Sequence, residues 1–408
     1  MKSIIQHIIF VFSLLFIAIG VSQAQSLIDI KVDVVYLASD YLEGRETGKA
    51  GEEKAAEYLV NRFKEIGLQP KGDNKTYLQT FNFNYTSNPH SSTGEARKGK
   101  NVVGFIDNKA ATTVIIGAHY DHIGRGSFGS RTPGNTDVYN GADDNASGTA
   151  ALLYLAERLQ QSKLKKHNYL FIAFSGEEMG LYGSKHYVKN PTIDFSKVSF
   201  MFNMDMVGRL EEDKSILING AGTSPIWKQT FPKIKSPDLK ITTSDSGVGA
   251  SDHTSFYLAN IPALHFFTGT HDDYHKPNDD SEFINFEGIQ MVADWMFELL
   301  VELNGAGKIE FTKTKEESNR RAASFKVSLG VMPDYASDGN GMRIDVVLDD
   351  RPAQKAGLED GDIIIKIGLT DVKDIYDYME GLSKFEKGDA TTVVIKRGEE
   401  ILEKKVVF

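Results

Sequence analysis

Histidine and carboxylate side chains recur in five short groups along the chain, and these are the residue types that bind metal ions and move protons. The groups are His119-Tyr120-Asp121, Asp143-Asp144-Asn145, Ser175-Gly176-Glu177-Glu178, Asn203-Met204-Asp205, and Tyr274-His275 with Pro277 and Asp279. Imidazole nitrogen and carboxylate oxygen both suit a divalent cation, and a carboxylate beside such a site can serve as a general base. Singly, each group has an ordinary explanation. A histidine at a strand end is commonly a hydrogen-bonded structural residue, adjacent carboxylates are commonly a solvated face, and Asp-Asp-Asn before a helix is a cap. Together they would gather charge at one edge of a sheet, which is costly unless a cation neutralises it.

The elements that must carry these groups are read from apolar periodicity. Asn101 to Ile106 and Thr112 to Ala118 read as strands, the second a nearly continuous apolar run of the kind buried on both faces. Tyr169 to Phe174 and Ser199 to Met204 are further strands, with a helix-like stretch from Leu181 to Val188 between them. Helical spacing appears from Ala55 to Ile66, stopped by Gly67, from Ala146 to Gln161, with Asn145 as its cap, and from Phe286 to Leu303. Asn82 to Lys100 reads as polar and turn-rich. Strands alternating with helices predict an α/β fold, a mixed, mostly parallel sheet flanked by helices, and such sheets place their sites beyond the carboxyl ends of the strands. Four of the five groups fall there.

A length of 408 residues implies two or three structural units. The net charge of -10 and the lack of a basic cluster argue against nucleic acid as a partner. With no cysteine, disulfides, thiolate nucleophiles and Cys-rich zinc sites are excluded. Lys2, the apolar run Ile8 to Val21 and the small residues of Ser22-Gln23-Ala24 read as a signal peptide over 1–24, cleaved after Ala24, leaving no stable membrane span and a secreted or periplasmic protein. The remaining boundaries are drawn at 25–305 for the catalytic unit, 306–322 for a polar linker and 323–408 for a strand-rich unit.

The strings Gly117-Ala118-His119-Tyr120-Asp121, Gly141-Ala142-Asp143-Asp144-Asn145-Ala146-Ser147-Gly148, Glu177-Glu178, Asn203-Met204-Asp205-Met206-Val207-Gly208 and Tyr274-His275-Lys276-Pro277-Asn278-Asp279 resemble, in content and order, the five blocks of metallopeptidase family 28, the co-catalytic zinc aminopeptidases. The resemblance covers Asp29 to Leu303. It implies two Zn²⁺ per chain, with His119 and Asp205 binding one, Glu178 and His275 the other, and Asp144 bridging them. It further implies Glu177 as general base, Tyr274 as the oxyanion stabiliser with Tyr120 and Tyr257 as other candidates, Asp121 orienting His119, and Asp279 orienting His275. Ser251-Asp252-His253 recurs in part of the family, and a place near the site or a plain helix cap both remain open for it. His122 and His265 are read as structural, and the glycines from Gly124 to Gly134 as a loop near the site. The stretch before the His119 strand is too short for the protease-associated insertion of some relatives.

Arg351-Pro352-Ala353, Ala356-Gly357-Leu358 and Gly361-Asp362-Ile363-Ile364 resemble bacterial PDZ-like domains, with Leu329-Gly330-Val331 similar to the loop that captures a chain terminus. Binding of C-terminal peptides and a purely packing role are both open. The expected activity is removal of N-terminal residues from peptide substrates. A carboxypeptidase or dipeptidase would need an arginine to clamp a carboxylate, Arg209 being the nearest in sequence. A glutaminyl cyclase would work with one zinc, and a non-catalytic peptide-binding protein would have no use for Glu177.

Overall fold

The computed structural model describes residues 25–85, 95–126, 129–132, 134–235, 237–314, 327–333, 341–347, 351–373 and 375–408; the expected signal peptide lies outside them. After a helix over residues 25–37 (α1) come α2 (Ala50–Ile66), β1 (Gln69–Pro70), β2 (Leu78–Tyr85), β3 (Glu95–Ile106), β4 (Thr113–His119), α3 (Gly148–Gln161), β5 (Asn168–Phe174), α4 (Tyr182–Lys189) and β6 (Val198–Met204). Then follow β7 (Ser215–Asn219), α5 (Pro225–Thr230), β8 (Lys240–Thr243), α6 (His253–Leu258), β9 (Ala263–Phe267) and α7 (Phe286–Leu303).

These strands form one mixed sheet in the order β1-β3-β5-β4-β6-β9-β7-β8, with β2 added on β3. The central four, β5, β4, β6 and β9, are mutually parallel, so their carboxyl ends share one edge. Every residue of β4, β5 and β6 is buried, because both faces are covered. On one side Val114, Ile116, Ala118, Phe171 and Phe202 pack with α1, α2, α3 and α7; on the other Ile115, Ile172, Phe174 and Met201 meet Tyr187 of α4 and Phe256 of α6. Gly67, at φ 86°, closes α2 in the left-handed conformation that a glycine takes without a Cβ clash.

Of the segment read as turn-rich, residues 82–85 and 95–100 are strand, and 86–94 lie outside the described residues. β2 and β3 run antiparallel from Leu78↔Val102 to Tyr85↔Glu95. Phe81 and Phe83 alternate with polar residues on this edge strand, so only one face is apolar and the run looks polar on average.

A second sheet, β10 (Val331–Pro333), β11 (Met342–Val347), β12 (Ile363–Ile367), β13 (Thr370–Asp371), β14 (Ala390–Arg397) and β15 (Glu400–Val407), is accompanied by α8 (Pro352–Lys355) and α9 (Ile375–Leu382). It has its own core around Leu329, Ile344, Ile364 and Ile395. Residues 306–314, within the stretch read as a linker, lie along the first unit. Ile309 is buried in its core, Thr312 N donates to Thr223 O at 2.7 Å, and the hydroxyls of Thr314 and Tyr257 meet at 2.7 Å. An Arg131–Asp360 ion pair at 3.5 Å joins the two units. Among the described residues no helix is long and apolar enough to cross a membrane.

Candidate metal centre

The shared carboxyl edge of the parallel strands delivers the five groups to one place. His119 ends β4, Glu177 and Glu178 follow β5, and Asp205 follows β6. Asp144 lies in the turn leading into α3, where Asn145 fixes the local path: its Oδ1 accepts from Gly148 N at 3.0 Å and Met206 N at 3.1 Å while its Nδ2 donates to Met204 O. His275 comes from the loop after β9 at φ 54°.

Asp144 is the centre of the arrangement. Its Oδ1 lies 3.3 Å from His119 Nε2 and its Oδ2 lies 3.0 Å from His275 Nε2. His119 Nε2 is also 3.1 Å from Asp205 Oδ1, and His275 Nε2 is 3.1 Å from Glu178 Oε2. The donor atoms therefore form two groups sharing Asp144: His119, Asp144 and Asp205 in one; His122, Asp144, Glu178 and His275 in the other.

The far nitrogens of both rings decide what the near ones can do. His119 Nδ1 faces the Asp121 carbonyl at 3.2 Å and His275 Nδ1 faces the Gly129 carbonyl at 2.8 Å. A carbonyl only accepts, so each Nδ1 carries a proton while each Nε2 is turned towards carboxylate oxygens. Carboxylates gathered in burial require positive charge at Nε2, supplied by a second ring proton or by a cation that takes the Nε2 lone pair. Burial opposes a charged ring at His119, yet Asp205 and Glu177 hold it well above the ordinary histidine value; at His275 Glu178 and Asp144 do the same. The site thus calls for positive charge, and its nitrogen and oxygen donors fit zinc.

Two expected orienting contacts differ. Asp121 Oδ1 is 3.7 Å from His119 Nδ1, farther than the backbone carbonyl, and instead accepts from Glu177 N at 3.2 Å while Oδ2 accepts from the Thr47 hydroxyl. Asp279 does not reach the His275 ring at all. It accepts from the backbone N–H of Asp143 and of Asp144 at 3.0 Å, anchoring Asp144, and the Gly129 carbonyl takes the His275 role because Gly129 packs against that ring. Arg209 is engaged with Asp273 at 3.2 Å and Asp279 at 3.6 Å.

His122, read as structural, belongs to the centre: its Nδ1 is 2.7 Å from Glu178 Oε1. Arg45 was missed altogether. Fully buried, it donates to the carbonyls of Leu37, Tyr120, Asn140 and Gly141, tying α1 to the loops that bear His119 and Asp144. Neither shows in a linear pattern, because three of the carbonyls that Arg45 meets lie 75 to 96 positions away and His122 meets Glu178 across 56 positions.

Glu177 and Tyr274 line the cavity of about 490 Å³ that opens from the centre, and burial pushes the Glu177 carboxyl well above its usual range. Tyr274 stacks on His275 with ring centroids 4.0 Å apart. The other two tyrosines point elsewhere: Tyr120 donates to Lys100 O at 2.6 Å, and Tyr257 pairs with Thr314. Asp252 is buried, its side chain does not cap α6, and burial lifts its carboxyl to about 7. His265, also expected to be structural, lines the cavity and stacks on His253 at 4.6 Å.

Residues 101–300 match the family described as peptidase family M28, and residues 311–407 match the PDZ domain. The aminopeptidase YwaD of Bacillus subtilis is 31% identical over 212 residues, covering 48% of this chain and 41% of that protein. The chain spans about half the length of the curated relatives it matches. Among solved structures, BSAP, a zinc aminopeptidase from Bacillus subtilis, has a TM-score of 0.53 at 20% identity, covering 70% of this chain and 98% of that one. A glutaminyl cyclase from Porphyromonas gingivalis has 0.55 at 18%, covering 68% and 98%. At these identities the structures share the fold.

Proposed function

Because residues 101–300 are a peptidase family M28 domain and residues 311–407 a PDZ domain, we propose that the protein is an exported zinc aminopeptidase that removes N-terminal residues from peptides. The observation that carries this reading is Asp144 standing between two histidines whose Nε2 atoms both face carboxylates. His119 and Asp205 would hold one zinc, Glu178 and His275 a second, with Asp144 shared and His122 beside Glu178. When bound, the metals polarise the scissile carbonyl and acidify water.

Glu177, elevated by burial, accepts a proton from the attacking water and returns it to the departing amine nitrogen. The Tyr274 hydroxyl, on the cavity wall, donates to the oxygen that gains charge as the carbonyl carbon becomes tetrahedral. Asp121 holds the backbone N–H of Glu177 and so sets the reach of the base. The division into a catalytic unit to residue 305, a connecting stretch and a PDZ-like unit from residue 323 belongs to the same proposal, as does export by the N-terminal segment.

A panel of fluorogenic aminoacyl amides, with N-blocked and N-terminal glutaminyl peptides as controls, tests the activity, and metal analysis tests the site. Expected are cleavage only with a free amine, loss on chelation, restoration by zinc, and about two zinc ions per chain. Cyclisation of glutaminyl peptides without amide cleavage would move the reading to a glutaminyl cyclase, and an active enzyme with a single zinc would remove the two-metal centre.

A further inference from the structure

Beside the metal centre the chain gathers a second cluster of charges from Asp143, Arg209, His271, Asp273 and Asp279. His271 Nε2 stands 3.3 Å from Asp143 Oδ2 and 3.9 Å from Asp279 Oδ1, and its Nδ1 stands 3.9 Å from Asp273 Oδ2. Arg209 Nη2 reaches Asp273 at 3.2 Å and Asp279 at 3.6 Å. Asp143 and Asp279 are fully buried, and the His271 side chain keeps only 15% of its surface exposed. Among the described residues neither ring nitrogen of His271 has an aligned hydrogen-bond partner, and neither has Asp143 Oδ2. What holds the ring is therefore charge.

The sign of that charge follows from its neighbours. Asp143, Asp273 and Asp279 share the guanidinium of Arg209 as their other cation, and a buried excess of carboxylate is costly unless it is paired. Each ring nitrogen of His271 faces a carboxylate oxygen. A neutral ring would turn a lone pair to one of them, whereas a ring with two N–H groups suits both. Burial opposes charge on this ring, yet Asp143 and Asp279 hold it above the ordinary histidine value. The members of the cluster also come from the segments that the reaction must align. Asp143 precedes Asp144, and its Oδ1 accepts from Gly208 N at 2.6 Å, three residues beyond Asp205. Asp279 accepts from the backbone N–H groups of Asp143 and Asp144 at 3.0 Å. His271 and Asp273 lie in the loop after β9, and Tyr274 N donates to His271 O at 3.0 Å, so placing His271 places Tyr274 and, next to it, His275. This tie between loop and turn needs no metal.

We propose that His271 is a positioning residue: as a cation held among Asp143, Asp273 and Asp279, it locks the loop bearing Tyr274 and His275 onto the turn bearing Asp144. Its kinetic consequence rests on the aminopeptidase reading; its structural consequence does not. A misplacement of about 1 Å in a reacting group can cost about 10²-fold in rate, so a loosened Tyr274 should appear in kcat more than in KM.

The test compares wild type with His271→Gln, which keeps a polar side chain without the charge, and His271→Lys, which restores the charge. The first readout is hydrogen–deuterium exchange of the full-length, zinc-free protein. His271→Gln should exchange faster over residues 268–279 and unchanged over β4 to β6, and His271→Lys should return towards wild type. The second is kinetic, on an aminoacyl amide with zinc bound: kcat should fall by about 10- to 100-fold in His271→Gln with KM little changed, and recover in part in His271→Lys. Equal exchange over 268–279 in wild type and His271→Gln overturns the proposal. So does faster exchange throughout the chain, which assigns the ring to general stability, and so does a His271→Lys protein no tighter than His271→Gln. Should His271→Gln fail to fold, Asp273→Asn, at the more exposed rim of the cluster, carries the same comparison: faster exchange over 268–279 supports the lock and unchanged exchange overturns it. A wild-type protein that cleaves no aminoacyl amide overturns the aminopeptidase reading and leaves the lock to be decided by exchange alone.

Discussion

Glu177 and Glu178 are neighbours in sequence with different surroundings: Glu178 faces the rings of His122 and His275, and Glu177 faces the cavity. Their roles should therefore separate on substitution. Glu177→Gln keeps the shape and removes the base, so kcat should fall by about 10² to 10⁴ with zinc content unchanged. Asp144→Ala removes the atoms both histidines face, so zinc and activity should go together. A Glu177→Gln enzyme within a few-fold of wild type would show that another group takes the proton. That these residues gather in one place was legible in the sequence because a strand end fixes where a side chain emerges, three of the five groups follow β4, β5 and β6, and the order of all five restricts the chemistry. His122 and Arg45 were not, because a single histidine or arginine has no periodicity to betray what the fold packs against it.

The strands and helices themselves were legible where an apolar period ran long, as in α2, α3, α7 and the fully buried β4 to β6. β2 escaped because one polar face hides the alternation of Phe81 and Phe83, and β7 and β8 are too short to carry a period. One contact between elements has a measurable pH signature. His167, just before β5, meets Leu303 O at the end of α7 through Nε2 at 3.1 Å and the Thr112 hydroxyl through Nδ1 at 2.7 Å. Burial lowers its pKa below the usual 6.5, so the folded chain favours the neutral ring and the unfolded chain binds the proton at higher pH. Its contribution to stability is present in full above pH 6.5 and is lost as pH falls through the folded value, at no more than about 1.4 kcal/mol per pH unit. Urea unfolding at a series of pH values from about one unit above 6.5 downwards should give a shallower decline for His167→Gln than for wild type. Equal slopes would mean that the ring titrates alike in both states.

At the scale of the molecule, the composition shift near residue 305 and the separate cores made two units legible, but nothing in either sequence told how they meet. Among the described residues the Arg131–Asp360 pair joins them, and single charged residues carry no pattern. Deleting residues 323–408 should leave a soluble, zinc-loaded protein that still cleaves an aminoacyl amide, because the five groups all lie upstream. A metal-free or insoluble product would mean that the first unit depends on the second to fold. The Arg131–Asp360 pair is a weak fastener, with Asp360 more than half exposed, and such pairs contribute about 0 to 1 kcal/mol. It is sufficient because of where the chain is pinned. With residues up to Thr314 held on the first unit, only 12 residues separate it from Val327, a tether that spans about 45 Å at most. Confinement to that radius gives the second unit an effective concentration of roughly millimolar order at its docking face, so contacts too feeble to join separate chains can hold it there. A free PDZ-like fragment supplied at micromolar concentration would be a thousandfold too dilute, by about that estimate, to stand in for the tethered one.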